Sequence, residues 1–306
     1  MTTSLTSRPS SSADPQPPED PGRAGPGRLL WRPGPPAAAE PAPAWPPLLV
    51  AEDLLGAGVV AAFTGRAGGS SEAPHATLNL GLRVGDDLRR VLANRRRVAT
   101  VLGLAGRPWA LARQVHSATV LRVEADRLGQ GPPEARPPLG EGDGLVTTDP
   151  GVVLAVLTAD CAPVLLADPA ARVVGAVHAG WRGLAAGVVE AGVAAMAGLG
   201  ADPARCVGLV GPAVGGCCYE VGPEVRDAVG ARLPAALATT RDGRPALDPA
   251  AGAAQALRRA GVGQLRVAGE CTFDLEERFF SHRRDHGRSG RQAGLIALVP
   301  TRDGGR

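Results

Sequence analysis

No lysine occurs anywhere in the 306-residue chain; all 33 of its basic residues are arginine. Schiff-base chemistry and a Walker-type phosphate lysine are therefore excluded. Any phosphate must be held by guanidinium groups, backbone N–H groups or a metal. Aromatic residues are scarce, at 3%, and none interleave with basic residues in the stripe that a nucleic-acid surface needs. A net charge of +3 is too mild to steer the chain toward a polyanion. The five cysteines (161, 206, 217, 218 and 271) are odd in number and two are adjacent, a poor disulfide framework. No apolar run reaches the length of a membrane span, and Leu29-Leu30-Trp31 is too short for the apolar region of a signal peptide. The expectation is a cytoplasmic protein in reducing surroundings, with no nucleic-acid, membrane or evident protein partner.

Proline and glycine, by contrast, are plentiful and unevenly spread. Residues 1–47 hold 13 of the 29 prolines and show no apolar period. Such a segment buries too little surface to offset its ordering entropy, which predicts a disordered tail. The folded part is expected over 48–303, as a single mixed α/β (α+β) domain. Leu54–Thr64 reads as a strand. Asp86-Asp87 caps a helix to about Leu104, with Leu88, Val91, Leu92, Val98 and Leu102 inward and its arginines facing solvent. Residues 109–125 read as two short strands around His116. Val152–Leu157, Val164–Leu166 and Arg172–Val177 are continuous apolar runs, as for strands buried on both faces. A helix over Gly183–Leu199, a strand at Cys206–Val210, helices at 223–233 and 248–260, and strands at 265–269 and 294–299 complete the reading.

With only five histidines in the chain, their contexts carry weight. His116, Cys161 and His178 each end an apolar run at small residues, where a side chain can face a cavity. Two imidazoles and a thiolate so placed are what an open three-ligand zinc site needs. The same atoms also read as a cysteine nucleophile with His178 as its base, or as core packing. Asp160, beside Cys161, is placed to orient a ligand or act as a base. Arg182 opens a helix after His178, where an anion is favoured. The arginines of 283–291, interleaved with glycine and serine, suggest a loop closing over a polar ligand. His282 and His286 read as peripheral, and Cys217-Cys218 as structural.

Taken in order, these segments resemble the laccase-domain family, described both as multicopper polyphenol oxidase and as purine nucleoside phosphorylase-like. The resemblance spans about Val59 to Leu298 and rests on Thr77-Leu-Asn79-Leu-Gly81, Gln114-Val-His116, Gly142-Asp143, Thr158-Ala-Asp-Cys161-Ala-Pro163, His178-Ala-Gly-Trp-Arg-Gly183, Cys217-Cys218-Tyr-Glu and Arg291-Gln292. The long 128–140 loop departs from the family's pattern without touching a motif. The resemblance implies zinc held by His116, Cys161 and His178, and a fold similar to the cytotoxic-necrotizing-factor cysteine hydrolase domain. It also implies phosphorolysis of adenosine, inosine, guanosine and methylthioadenosine, adenosine deamination, or, in some bacterial relatives, editing of peptidoglycan precursors. Catalytic roles then fall to Cys161, His178, His116 and Asp160, and substrate contacts to Asn79, Gln114, Arg182 and Arg291. A copper laccase is excluded by arithmetic: it needs a mononuclear and a trinuclear copper site, and five histidines with no His-x-His pair cannot supply them.

Overall fold

The computed structural model describes residues 28–33 and 46–301. In chain order they form β1 (Leu30–Arg32), β2 (Leu48–Val50), α1 (Glu52–Gly56), β3 (Val59–Thr64), α2 (Leu88–Val101), β4 (Trp109–Ala110), β5 (Val120–Arg122), β6 (Gly144–Thr147) and β7 (Val153–Thr158). There follow β8 (Ala162–Asp168), β9 (Val173–Ala179), α3 (Trp181–Ala186), α4 (Val188–Ala197), β10 (Val207–Val210), α5 (Pro223–Gly230), β11 (Leu237–Thr239), β12 (Pro245–Leu247), α6 (Pro249–Arg259), β13 (Gln264–Val267) and β14 (Gln292–Leu298). One six-stranded sheet runs β1-β2-β3-β14-β7-β4 and the other β13-β10-β8-β9-β6-β5, with β11-β12 as a separate hairpin. Within them most pairs are antiparallel; β4-β7, β5-β6 and β10-β13 are parallel.

The two sheets lie face to face. Phe63, Leu154, Val156 and Ile296 of the first pack against Leu145, Leu165, Ala176 and Leu209 of the second. On its outer side the second sheet sends Val164, Leu166 and Val177 against Leu184, Val188, Val193 and Met196 of α3 and α4 and Leu257 of α6. The first sheet's outer residues Val153, Ala155 and Leu295 meet Val98 of α2 and Trp109. Each central strand is therefore covered twice, which is why β7, β8, β9 and β14 read as unbroken apolar runs rather than alternating ones. This is a mixed α/β unit, and among the described residues no helix is long and apolar enough to cross a membrane.

Four expectations are corrected. Within 1–47, Leu30–Arg32 form an edge strand against β2, and Trp31 Nε1 donates to Glu270 Oε2 at 3.0 Å; residues 1–27 and 34–45 lie outside the described residues. Leu54 belongs to α1 rather than to a strand, because Gly58 at φ +77° turns the chain and the strand starts only at Val59. On α2, Asp87 accepts from Arg89 N as the expected cap, but Leu88 is 56% exposed while Arg95 is buried. Arg95 turns inward because three carbonyl contacts await it: its Nε and Nη2 donate to Leu80 O and its Nη1 to Glu134 O. Finally, the helix expected over 183–199 is two, because Gly187 adopts a left-handed φ of +85° and ends α3.

Candidate metal centre

Antiparallel pairing of β8 and β9 sets Pro163 opposite His178 and Ala162 opposite Ala179. Cys161 is therefore the residue just outside the last rung, facing Gly180. A Cβ added at Gly180 would lie 2.9 Å from Cys161 Sγ and 2.7 Å from His116 Cδ2, so only glycine leaves room for both. His116 arrives from the turn between β4 and β5. It and Asp160 adopt φ of +62° and +91°, two of the four non-glycine residues with positive φ among those described. Backbone strain of this kind collects where a site must be held in one geometry.

These turns bring His116, Cys161 and His178 together, with one donor atom from each lying within 4.8 Å of the other two. His116 Nε2 stands 3.9 Å from Cys161 Sγ, and the two imidazoles meet edge to face at 5.0 Å. Two imidazole nitrogens and one thiolate sulfur are a donor set for a borderline-soft cation such as zinc or copper, and three protein ligands leave a position for substrate or water. Burial opposes charge on Cys161, but His178 and His116 beside it outweigh that and hold the thiol below its ordinary range. Burial likewise opposes charge on His178, but the Cys161 thiolate and Asp143 raise its pKa. A bound cation would take over the proton's place between them.

Sequence reasoning missed the residue that organises this set. Asp143 is fully enclosed, and its Oδ1 accepts from His178 Nδ1 at 2.9 Å and from His116 N at 3.0 Å. Its Oδ2 accepts from Ser117 N at 2.6 Å, Ser117 Oγ at 2.9 Å and Val115 N at 3.2 Å. One carboxylate thus fixes the His116 turn and turns His178 Nε2 toward the cysteine, as carboxylates behind metal-binding histidines do. Despite burial, the bonds from His178 and Ser117 hold its carboxyl well below the usual range. A charged residue wedged between Gly142 and Gly144 at the start of an apolar strand was the available signal.

The donor set opens onto a cavity of about 520 Å³. Its walls carry Arg83, Arg95, Arg113, Arg136 and Arg291, along with His282, and no carboxylate. Of the expected contacts, Gln114 and Arg291 line it; Asn79, Asp160 and Arg182 do not. Gln114 also clamps β7, accepting from Leu157 N at 2.9 Å and donating to Leu157 O at 2.8 Å. Asn79 is a buried tie: its Oδ1 accepts from Gly81 N and Arg291 N, each at 2.9 Å, and its Nδ2 donates to Asp86 at 2.9 Å. Asp160 is spoken for in the same way, accepting from Thr272 Oγ1 and Arg283 N, both at 2.7 Å. Arg182 is exposed, with its guanidinium 4.4 Å from the centre of the Trp181 ring. The 283–291 loop contributes only Arg291 to the cavity, because Arg283 and Arg284 donate to backbone carbonyls elsewhere. His282, expected to be peripheral, is part of the wall.

A family profile described as multi-copper polyphenol oxidoreductase laccase matches residues 60–299. A purine nucleoside phosphorylase of Streptomyces coelicolor is 49% identical over 236 residues, covering 77% of this chain and 94% of the relative. One from Deinococcus radiodurans is 44% identical over 258 residues, covering 84% and 95%. Among solved structures, YlmD from Geobacillus stearothermophilus superposes with a TM-score of 0.74 at 35% identity, over 90% of this chain and 99% of its own.

Proposed function

The chain belongs to the multi-copper polyphenol oxidoreductase laccase family, and from that membership we propose that it is a zinc-dependent purine nucleoside phosphorylase that also deaminates adenosine. Its nucleosides are adenosine, inosine, guanosine and methylthioadenosine, each split by phosphate into free base and ribose-1-phosphate (methylthioribose-1-phosphate from the last). The observation that carries this reading is the cavity itself: two imidazoles and a thiolate at one end and arginine on the walls, with Glu141, the partner of Arg113, outside the lining. His116, Cys161 and His178 would hold the ion, which would supply Lewis acidity at that end of the cavity. Asp143 keeps His178 in the tautomer that offers Nε2. Arg291, Arg113 and Arg136 bind the phosphate nucleophile, a role their fork of N–H donors suits. That assignment replaces Arg182, whose guanidinium stacks on Trp181 outside the cavity. Asp160 acts by positioning, since its carboxylate oxygens are engaged by Thr272 and Arg283.

Incubation with adenosine and phosphate, followed by chromatography, tests the reading. Adenine with ribose-1-phosphate reports phosphorolysis; inosine with ammonia reports deamination. Cys161→Ala is expected to lose zinc and both activities. A purified, zinc-free Cys161→Ala protein that still cleaves adenosine refutes the assignment.

One observation favours a second reading. Cys161, His178 and Asp143 stand in the order of a thiol, its base and the carboxylate that orients the base. This is the arrangement of a metal-free cysteine hydrolase, resembling the cytotoxic-necrotizing-factor domain and acting as an amidase on peptidoglycan precursors. Metal analysis of the freshly purified protein separates the two: about one zinc per chain supports the first, and none, with a thiol that alkylates rapidly, the second.

A further inference from the structure

Three of the remaining cysteines converge away from the His/Cys/His set. Cys217 and Cys218 lie on the turn that follows β10, and Cys271 follows β13, the parallel neighbour of β10. A bridge between Ala213 and Cys271 continues that pairing past the strand ends and draws the two segments together. Cys217 Sγ stands 3.1 Å from Cys218 Sγ and 3.8 Å from Cys271 Sγ, and all three sulfurs lie within 4.8 Å of one another. All three residues are half-buried, so the cluster is reachable from solvent.

Burial pushes the Cys217 and Cys218 thiols up, and two polar groups stand against the sulfurs to offset it. Gly215 N donates to Cys271 Sγ at 3.2 Å, and a Cβ at Gly215 would press on Cys217 Sγ at 3.2 Å. Arg241 Nη1 stands 3.8 Å from Cys218 Sγ and is steadied by a bidentate pair with Asp274 at 2.8 and 2.6 Å. One backbone donor and one guanidinium thus face the sulfurs.

We propose that Cys217, Cys218 and Cys271 form a second metal site, a three-thiolate site for Cu(I). Metal–sulfur bonds of ~2.3 Å place three thiolates ~3.8–4.0 Å apart around one ion, within an ångström of the spacings seen. Soft thiolate ligands select Cu(I), zinc or iron–sulfur clusters. A closed structural zinc site takes four ligands, whereas no imidazole or carboxylate joins this group among the described residues. An iron–sulfur cluster is too large for sulfurs this close. Cu(I) is satisfied by two or three thiolates, and no electron transfer is needed to bind it.

Anaerobic titration of the zinc-loaded full-length protein with Cu(I), against a colorimetric Cu(I) chelator, tests the site. The wild type is expected to retain one more equivalent of Cu(I) than Cys217→Ser/Cys218→Ser/Cys271→Ser, with an X-ray absorption first shell of sulfur only. Should the triple variant fold poorly by circular dichroism, Cys218→Ser alone is expected to weaken Cu(I) binding at least tenfold. Equal uptake by wild type and variants, a first shell containing nitrogen, or preferential uptake of zinc by these thiols overturns the proposal.

Discussion

Gly180→Ala isolates the donor set from the rest of the fold. The added methyl carbon would sit 2.9 Å from Cys161 Sγ and 2.7 Å from His116 Cδ2, whereas unstrained contacts lie at ~3.5–4.0 Å. Both ligands must retreat by ~0.8 Å to restore those contacts, several times the ~0.2 Å tolerance of a metal–ligand bond. The backbone does not share the strain, because Gly180 has φ −80° and ψ 169°, a conformation alanine adopts freely. Its place at the N-cap of α3 adds a penalty of ~1 kcal/mol at most, equivalent to ~2–4 °C in Tm for a domain of this size. Metal affinity is therefore expected to fall by at least ~10- to 100-fold, the range seen when a ligand loses its support, while the melting temperature of the metal-free protein barely moves. Chelator competition with zinc, paired with thermal unfolding of the same metal-free samples, separates the two quantities. A Gly180→Ala protein that holds one zinc with wild-type affinity would falsify the placement of the ion between these side chains.

Asp143→Asn turns an amide N–H toward donors that the carboxylate now accepts, at Val115, His116, Ser117 and His178. Each buried donor left unpaired costs ~1–3 kcal/mol; zinc affinity and the melting temperature should fall together, and retention of both at wild-type values would contradict the role assigned to this carboxylate. Asp168 offers a test by pH. Burial would raise its pKa, but the N–H groups of Asp202 and Ala171 and the Arg205 guanidinium outweigh that and lower it. A carboxyl depressed in the folded state stabilises in full above its unfolded pKa of ~3.9 and loses that contribution as pH falls through the folded value. Unfolding free energy should therefore fall less steeply below pH ~5 in Asp168→Asn than in the wild type. Denaturant titrations whose acid limbs run parallel in the two proteins would disprove the linkage.

The central strands β7, β8, β9 and β14 were legible because each is a largely uninterrupted apolar run, and burial on both faces requires that pattern. His116, Cys161 and His178 were legible for a related reason: a polar side chain at the end of such a run has only the sheet's rim to occupy. What stayed hidden depended on contacts distant in sequence. Asp143 looks like any turn residue until the His116 turn, 27 residues upstream, is folded onto it. Arg95 lies among arginines that do face solvent, and only the carbonyls of Leu80 and Glu134 distinguish it. Asn79 and Asp160 were expected at the site, but their side chains bind backbone, the Asp86 carboxylate and the Thr272 hydroxyl instead. Cys271 carries no mark at all, because the pairing that brings it to Cys217 joins strands whose partner residues lie 57 apart in sequence.

The 128–140 loop, at first a mere departure in length, brings Ala135, Arg136, Pro137 and Pro138 to the cavity wall, with Glu134 O hooked over Arg95 of α2. The donor set comes instead from β9 and from turns bordering β5 and β8. Chemistry and admission are therefore written in separate parts of the gene. This one stretch is pinned to α2 through Arg95 and to the segment after β4 through Leu111 O and Arg113 N, so a change in its length or charge would reshape the cavity wall while the strands stay in place. The donor set beneath would keep its geometry, because none of its three side chains is carried by that stretch.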